Sequence, residues 1–178
     1  MIGKRICSRR KEAGLSLREL GRRTGLTAGF ISQVENDRVS PSLNSLQRIA
    51  TALEVPMFHF LNDSTPSDMV VRAGQRRRLY FKDSHMGYDL LSPDLIHHTM
   101  AVMIRMEPGA LRVAAPLAKP TEQWMFVLQG QLKITVGETT HVLEPGDSIY
   151  YDGDALCEFA SVGNDELRII CCITPPAL

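Results

Sequence analysis

The sequence predicts an α+β chain of two domains: a bundle of five short helices over residues 1–62 and an antiparallel β-barrel or double-sheet sandwich over 75–178, joined by a linker at 63–74. Three observations carry this. Apolar residues recur at helical spacing before residue 62, whereas after it short apolar runs alternate with turn signals. Between the two lies a polar stretch, Asn62-Asp63-Ser64-Thr65-Pro66-Ser67-Asp68, with the composition of a linker. Charge also changes sign there. Residues 1–62 hold ten basic side chains against five acidic ones, a net of +5, and the remainder of the neutral chain is therefore −5.

The bulk composition of the 178 residues, 44% apolar and 22% charged, is that of a globular protein, neither disordered nor fibrous. The longest apolar runs are five residues, and a membrane helix needs about 20. Lys4, Arg5, Arg9, Arg10 and Lys11 stand where a secretory signal would place apolar residues. Cys7, Cys157, Cys171 and Cys172 show no metal-binding or redox spacing and suit a reducing compartment. These features predict a cytoplasmic protein with no membrane partner. The basic N-terminal part points to a polyanion, though a solvated basic face has the same composition.

Within the first domain, Ile2 and Ile6 start one helix. Ser16 is placed to cap a helix at 17–23, Thr27 one at 28–35 and Ser42 one at 43–53, where Leu43, Leu46, Ile49, Ala50 and Leu53 form a continuous stripe. A fifth begins near Pro56 and carries Met57, Phe58, Phe60 and Leu61. The second and third are separated by Thr24-Gly25-Leu26, the spacing of a helix-turn-helix, whose second helix enters the major groove of DNA. Leu20, Leu26, Ile31 and Val34 have the spacing to form its core.

The run from Leu15 to Val55 resembles the helix-turn-helix domain shared by lambda-type phage repressors and xenobiotic-response-element regulators, and the likeness covers roughly residues 2–62. It implies that the helix beginning at Thr27 reads bases, with Thr27, Ala28, Gly29, Ser32 and Gln33 facing the groove. Gln33 is the best reader, because its amide can bond adenine N6 and N7 together. Ala28 and Gly29 offer no polar group, and Phe30 could meet a thymine methyl or pack on the core. The resemblance also implies an ion pair between Arg10 and Glu35 that fastens the first helix to the reading helix. Ser16, Arg18, Asn36, Arg38 and Ser42, near helix starts and the following loop, suit phosphate contacts.

In the second domain, strands are expected at 77–81, 88–91, 96–106, 122–128, 132–136, 141–143, 148–151, 157–160 and 167–174, separated by turns such as Pro108-Gly109, Pro145-Gly146 and Asp152-Gly153. From about Val102 this half resembles a small cupin, on the segments Phe126–Gly130, Leu143–Ser148 and Arg168–Pro175. Metal-binding cupins carry an H-x-H pair, a Glu and a further His. Here the Glu position falls on Gln123 and the last His on Cys157, while the pair falls on Pro116 and Ala118 or on Leu117 and Lys119. Gln123 and Cys157 make a poor metal site, so no metal or other cofactor is expected. The adjacent His97 and His98 would point to opposite faces of a strand, and His141 would lie in solvent.

With Gln123 facing the interior, Met125 and Val127 share its face, Trp124 and Phe126 take the other, and Cys157 and Phe159 share a face on their own strand. Gln123, Met125, Val127, Cys157 and Phe159 would line an effector cavity, apolar with few polar groups. Trp124 and Phe126, turned away from it, could pair two barrels in a homodimer held by residues 75–178. Arg105 and Arg112 could supply a carboxylate or phosphate contact. Cys157, with no activating partner near in sequence, is expected to be a buried and inert thiol. The Gln75-Arg76-Arg77-Arg78 segment reads as a relay between domains or as a charged edge strand. Taken together, the sequence points to a DNA-binding transcriptional regulator, a repressor, that meets a palindromic double-stranded operator as a homodimer and senses a small-molecule effector. The alternative is a cupin enzyme carrying a regulatory DNA-binding domain.

Overall fold

The structure, a computed structural model, describes residues 2–61, 69–95, 97–115, 117 and 119–176. The chain divides into two compact units, residues 1–64 and 65–177. Residues 63–68 of the expected linker at 63–74 lie outside the described residues, and its end carries a short 3-10 turn at Ala73–Gln75.

Among the described residues the first unit holds four α-helices: α1 (Ile2–Glu12), α2 (Leu17–Thr24), α3 (Ala28–Glu35) and α4 (Leu43–Ala52). Each of the last three starts on the expected cap. The hydroxyl oxygens of Ser16, Thr27 and Ser42 accept from the backbone N–H three residues on, satisfying donors that a helix start leaves open. Gly25 closes α2 in the left-handed region (φ 63°) and sends the chain into the turn before α3. The fifth helix is corrected: Met57–Leu61 is a 3-10 helix. Pro56 starts it with an i to i+3 bond, His59 N–H to Pro56 O at 2.9 Å, the bonding typical of short helical pieces. Its Phe58 and Phe60 are nonetheless fully buried, in a core with Ile6, Leu20, Ile31, Leu46 and Ile49.

The second unit is two antiparallel sheets. One has the order β1 (Arg78–Phe81), β2 (Met86–Leu90), β3 (Met100–Met106), β10 (Leu167–Thr174), β5 (Glu122–Gln129), β8 (Ser148–Asp152). The other has the order β4 (Leu111–Val113), β9 (Leu156–Val162), β6 (Gln131–Val136), β7 (Thr139–Leu143). The double-sheet expectation therefore holds, but among the described residues the strands do not close into a barrel. Hydrogen-bonded pairing ends at β1 and β8 on one sheet and at β4 and β7 on the other, and the layers meet through side chains. Alternation is clean where it matters: Met100, Val102, Ile104 and Met106 on β3, and Leu167, Ile169, Cys171 and Ile173 on β10, all point into the core. Strand β4 was not expected from the sequence. His97 and His98 precede β3 in exposed bends, so the strand starts later than the expected residue 96; Ile96 lies outside the described residues.

One close approach governs the helical unit. Gly3 in α1 lies against the C-terminal end of α3, where an added Cβ would collide with Val34 O and stand 2.8 Å from Glu35 O; its N–H donates to Asp37 Oδ1 at 3.1 Å. Gly29 in α3 has nothing within 4 Å of such a Cβ. Gly3→Ala should therefore lower the stability of the helical unit by about 1–3 kcal/mol. Gly29→Ala should raise it by up to about 1 kcal/mol, through helix propensity alone. Urea unfolding followed by circular dichroism without DNA separates the two, and equal effects would contradict this packing.

Candidate functional site

The reading surface is built by fixing α3 at both ends. At its start, Thr27 caps it with Oγ1 accepting from Phe30 N–H at 3.1 Å. At its end, Glu35 takes a two-pronged ion pair from Arg10 of α1: Nε to Oε1 at 2.6 Å and Nη2 to Oε2 at 2.8 Å. The third prong, Arg10 Nη1, donates to Leu15 O at 2.7 Å. Both side chains are nearly sealed from water, and the bond to Glu35 raises the Arg10 pKa above its ordinary value. A pair of this kind fixes geometry more than it adds stability, and removing one partner would strand a buried charge.

On the helix so held, Thr27, Gly29 and Gln33 are exposed, while Ala28, Phe30 and Ser32 are half-buried. Gly29 and Gln33 are one turn apart and share a face. The absence of a side chain at Gly29 leaves open ground beside the Gln33 amide. The half-burial of Phe30 fits both roles open to it. Around α3 lie the other expected contacts. Ser16 and Ser42 spend an oxygen lone pair on capping, and Arg18 is exposed in the first turn of α2. Asn36 donates through Nδ2 to Ser32 O at 2.7 Å, tying the loop to α3. Arg38 is exposed and has no side-chain partner among the described residues. Arg22 and Arg23 instead grip Glu19, at 2.7 and 3.3 Å, and hold its carboxyl at a pKa of about 2. Their charge is partly spent within α2.

The second unit has a polar line inside its apolar core. Gln123, Met125 and Val127 on β5 are all buried and face inward. Tyr151, the β8 residue paired with Gln123, donates its hydroxyl to Gln123 Oε1 at 3.0 Å, and Gln123 Nε2 donates to Thr121 Oγ1 at 3.1 Å. Tyr88 on β2 is buried, and the positive charge of Arg112 acts on it from the opposite sheet. Burial pushes the Tyr88 hydroxyl up to about 12 despite that arginine. Burial likewise holds the Tyr151 hydroxyl and the Cys171 thiol far above their ordinary ranges, so both stay protonated at neutral pH. Phe159 is buried beside its cross-strand neighbour Arg112.

Two expected interior residues are elsewhere. Arg105 is on the outward face of β3, with Nη2 2.8 Å from Asp89 Oδ1. Cys157 is exposed at the start of β9, where its thiol donates to Gly137 O at 3.4 Å, so the expectation of a buried thiol is corrected. Strand β9 enters the core only two residues later, at Phe159.

The resemblance to cupins implies a metal, and the residues present do not fit one. The amide at the Glu position is a weak ligand, and here both its ends are engaged by Tyr151 and Thr121. Cys157 is turned to the carbonyls of Gly137 and Ala155. Among the described residues no three His, Cys, Asp or Glu side chains converge. Leu117 and Lys119 carry no ligand chemistry for zinc or iron, and Pro116 and Ala118 lie outside the described residues.

Two family models match the chain: a helix-turn-helix model over residues 8–60 and a cupin-domain model over residues 102–173. The chain joins a helix-turn-helix domain to a cupin domain. The HTH-type transcriptional regulator SutR of Escherichia coli (strain K12) is 28% identical over 145 residues, covering 82% of this chain and 78% of that protein. The HTH-type transcriptional regulator PuuR of the same organism is 25% identical over 179 residues, covering 97% and 94%. The crystal structure of an HTH_3 family transcriptional regulator from Vibrio cholerae superposes with a TM-score of 0.78 at 24% identity, over 97% of this chain and 94% of that one, which establishes the shared fold. No helix among the described residues is long and apolar enough to cross a membrane.

The sequence missed Gly3 and the Asp37 carboxylate that meets its N–H, because neither leaves a mark in apolar periodicity. It also missed Tyr88, Thr121 and Tyr151, although strand alternation beside Gln123 would have pointed to Tyr151. For the helix-turn-helix domain, Gln33→Ala should cost about 1–3 kcal/mol of specific binding and relax base preference at one position of each half-site. Arg38→Ala should weaken all sequences alike and reduce the salt slope by about 1. Fluorescence-anisotropy titrations over operator variants and salt concentrations check both; a base-preference profile unchanged by Gln33→Ala would remove that residue from the reading set.

Proposed function

We propose that this protein is a cytoplasmic transcriptional repressor that binds a palindromic operator as a homodimer and tunes that binding through a small molecule held in its cupin domain. The observation that carries the reading is the exposed Gln33 amide on a short helix clamped by Arg10 and Glu35. One helix-turn-helix makes few contacts, and such modules gain specificity by pairing on two half-sites about one helical turn apart. Thr27, Ala28, Gly29, Ser32 and Gln33 meet bases, while Ser16, Arg18, Asn36, Arg38 and Ser42 hold phosphates.

The cupin domain acts by binding rather than by chemistry. Its interior offers Gln123, Tyr151, Tyr88 and Arg112 among Met125, Val127 and Phe159, a few directional polar groups on apolar walls. Its buried thiol and phenols stay protonated, which leaves them poor nucleophiles. An effector shifts DNA affinity only if it binds two conformations of the dimer unequally.

Thermal-shift screening of the full chain against a panel of small metabolites tests this. A true effector at 100 times its dissociation constant stabilises the chain by about 2.7 kcal/mol. The same compound should change operator affinity about five-fold or more. Compounds that stabilise the chain and leave operator affinity unchanged would contradict the sensing role.

A further inference from the structure

The outward face of the six-stranded sheet carries an apolar centre between two corners of opposite charge. Backbone register places Ala101, Cys172, Trp124 and Tyr150 in one row across the sheet, and Met103, Ile170 and Phe126 in the next. The Trp124 and Phe126 rings stack at 5.9 Å, and Tyr150 is 62% exposed. At the corner formed by β1, β2 and β3, Asp89 lies between two arginines, Arg105 at 2.8 Å and Arg78 at 3.5 Å. Two cations meet one buried carboxylate there, and Arg105 Nε is buried without a hydrogen-bond partner.

At the diagonally opposite corner, Glu122 of β5 and Asp152 of β8 are direct cross-strand partners, and both are exposed. Like charges in that position repel. The contact relieving them is a Tyr150 hydroxyl donated to Glu122 Oε2 at 2.6 Å. Beside them opens a hollow of about 760 Å³, lined by Thr121, Glu122, Asp152, Asp154, Ala155 and Pro175 among others. It has room for a long basic side chain and carries the charge to attract one.

We propose that two copies of this chain pair through this face, about a two-fold axis lying in it, so that the Arg78 corner of each copy rests on the Glu122–Asp152 corner of the other. Pairing through this face presupposes the dimer proposed above and adds its surface and its orientation. The occupant is a second copy because the face complements itself: each corner supplies the charge the other lacks, and a two-fold axis makes that contact twice. The apolar residues between form the dry centre and the charged corners the rim, the usual anatomy of a specific interface. Trp124 is the chain's single tryptophan and therefore reports directly on the centre.

The test is sedimentation equilibrium of the full chain, with acrylamide quenching of Trp124 measured over the same dilution series. The wild-type chain should dimerise, and quenching should rise as the dimer dissociates. Glu122→Arg combined with Asp152→Arg should weaken dimerisation about ten-fold or more. A wild-type dimer whose affinity is untouched by the double reversal would overturn this face and leave the dimer standing on another. A wild-type dimer whose Trp124 is quenched equally at all dilutions would do the same without any variant. A chain that stays monomeric at operator-binding concentrations would overturn both readings.

Discussion

The two-pronged bond between Arg10 and Glu35 is the constraint on which DNA reading depends. Helix α3 has eight residues, too few to hold its shape in water alone. Its conformation comes from a cap at one end and from α1 at the other. Arg10 spends all three guanidinium nitrogens there, on both Glu35 oxygens and the Leu15 carbonyl. Gly3 brings α1 close enough for that bond to form, and Asp37 closes the same junction from the loop. The exposed row carrying Gly29 and Gln33 is thus presented by a rigid joint whose stiffness lies in residues that touch no base.

The cupin domain follows a different economy. Metal-binding members of the fold draw ligands into the space between the sheets; here that space holds an amide, hydroxyls and one guanidinium. Tyr151, Gln123 and Thr121 form a continuous chain of donors and acceptors, and the charge of Arg112 acts on Tyr88 from across the core. A buried network with its bonds made is rigid and specific, and a ligand that displaces one partner must replace the bond it breaks. That combination suits recognition of a small molecule better than bond making.

The local features were the most legible in the sequence. Ser16, Thr27 and Ser42 were readable because a cap depends on residues within one turn, and β5 because its five-residue apolar run, Trp124–Leu128, ends at the turn signal Gln129-Gly130. Features set by distant geometry were not. The stretch after Pro56 reads as a helix because its apolar residues cluster, but clustering does not distinguish α from the 3-10 bonding that forms there. Strand β4 escaped because three residues show no period. Arg105 and Arg112 looked equivalent in sequence; strand register alone turns one outward onto Asp89 and the other inward onto Tyr88. Cys157 sits on the inward parity of β9 but before the strand reaches the core, which no periodicity could reveal.

Selection of binding sites by the full chain from a pool of random double-stranded DNA is the most direct measure of the central claim, that this joint presents α3 to a base sequence. The account predicts enrichment of an inverted repeat, with half-sites centred about 10 base pairs apart. Recovery of unenriched DNA, or of a single unpaired site, would contradict it.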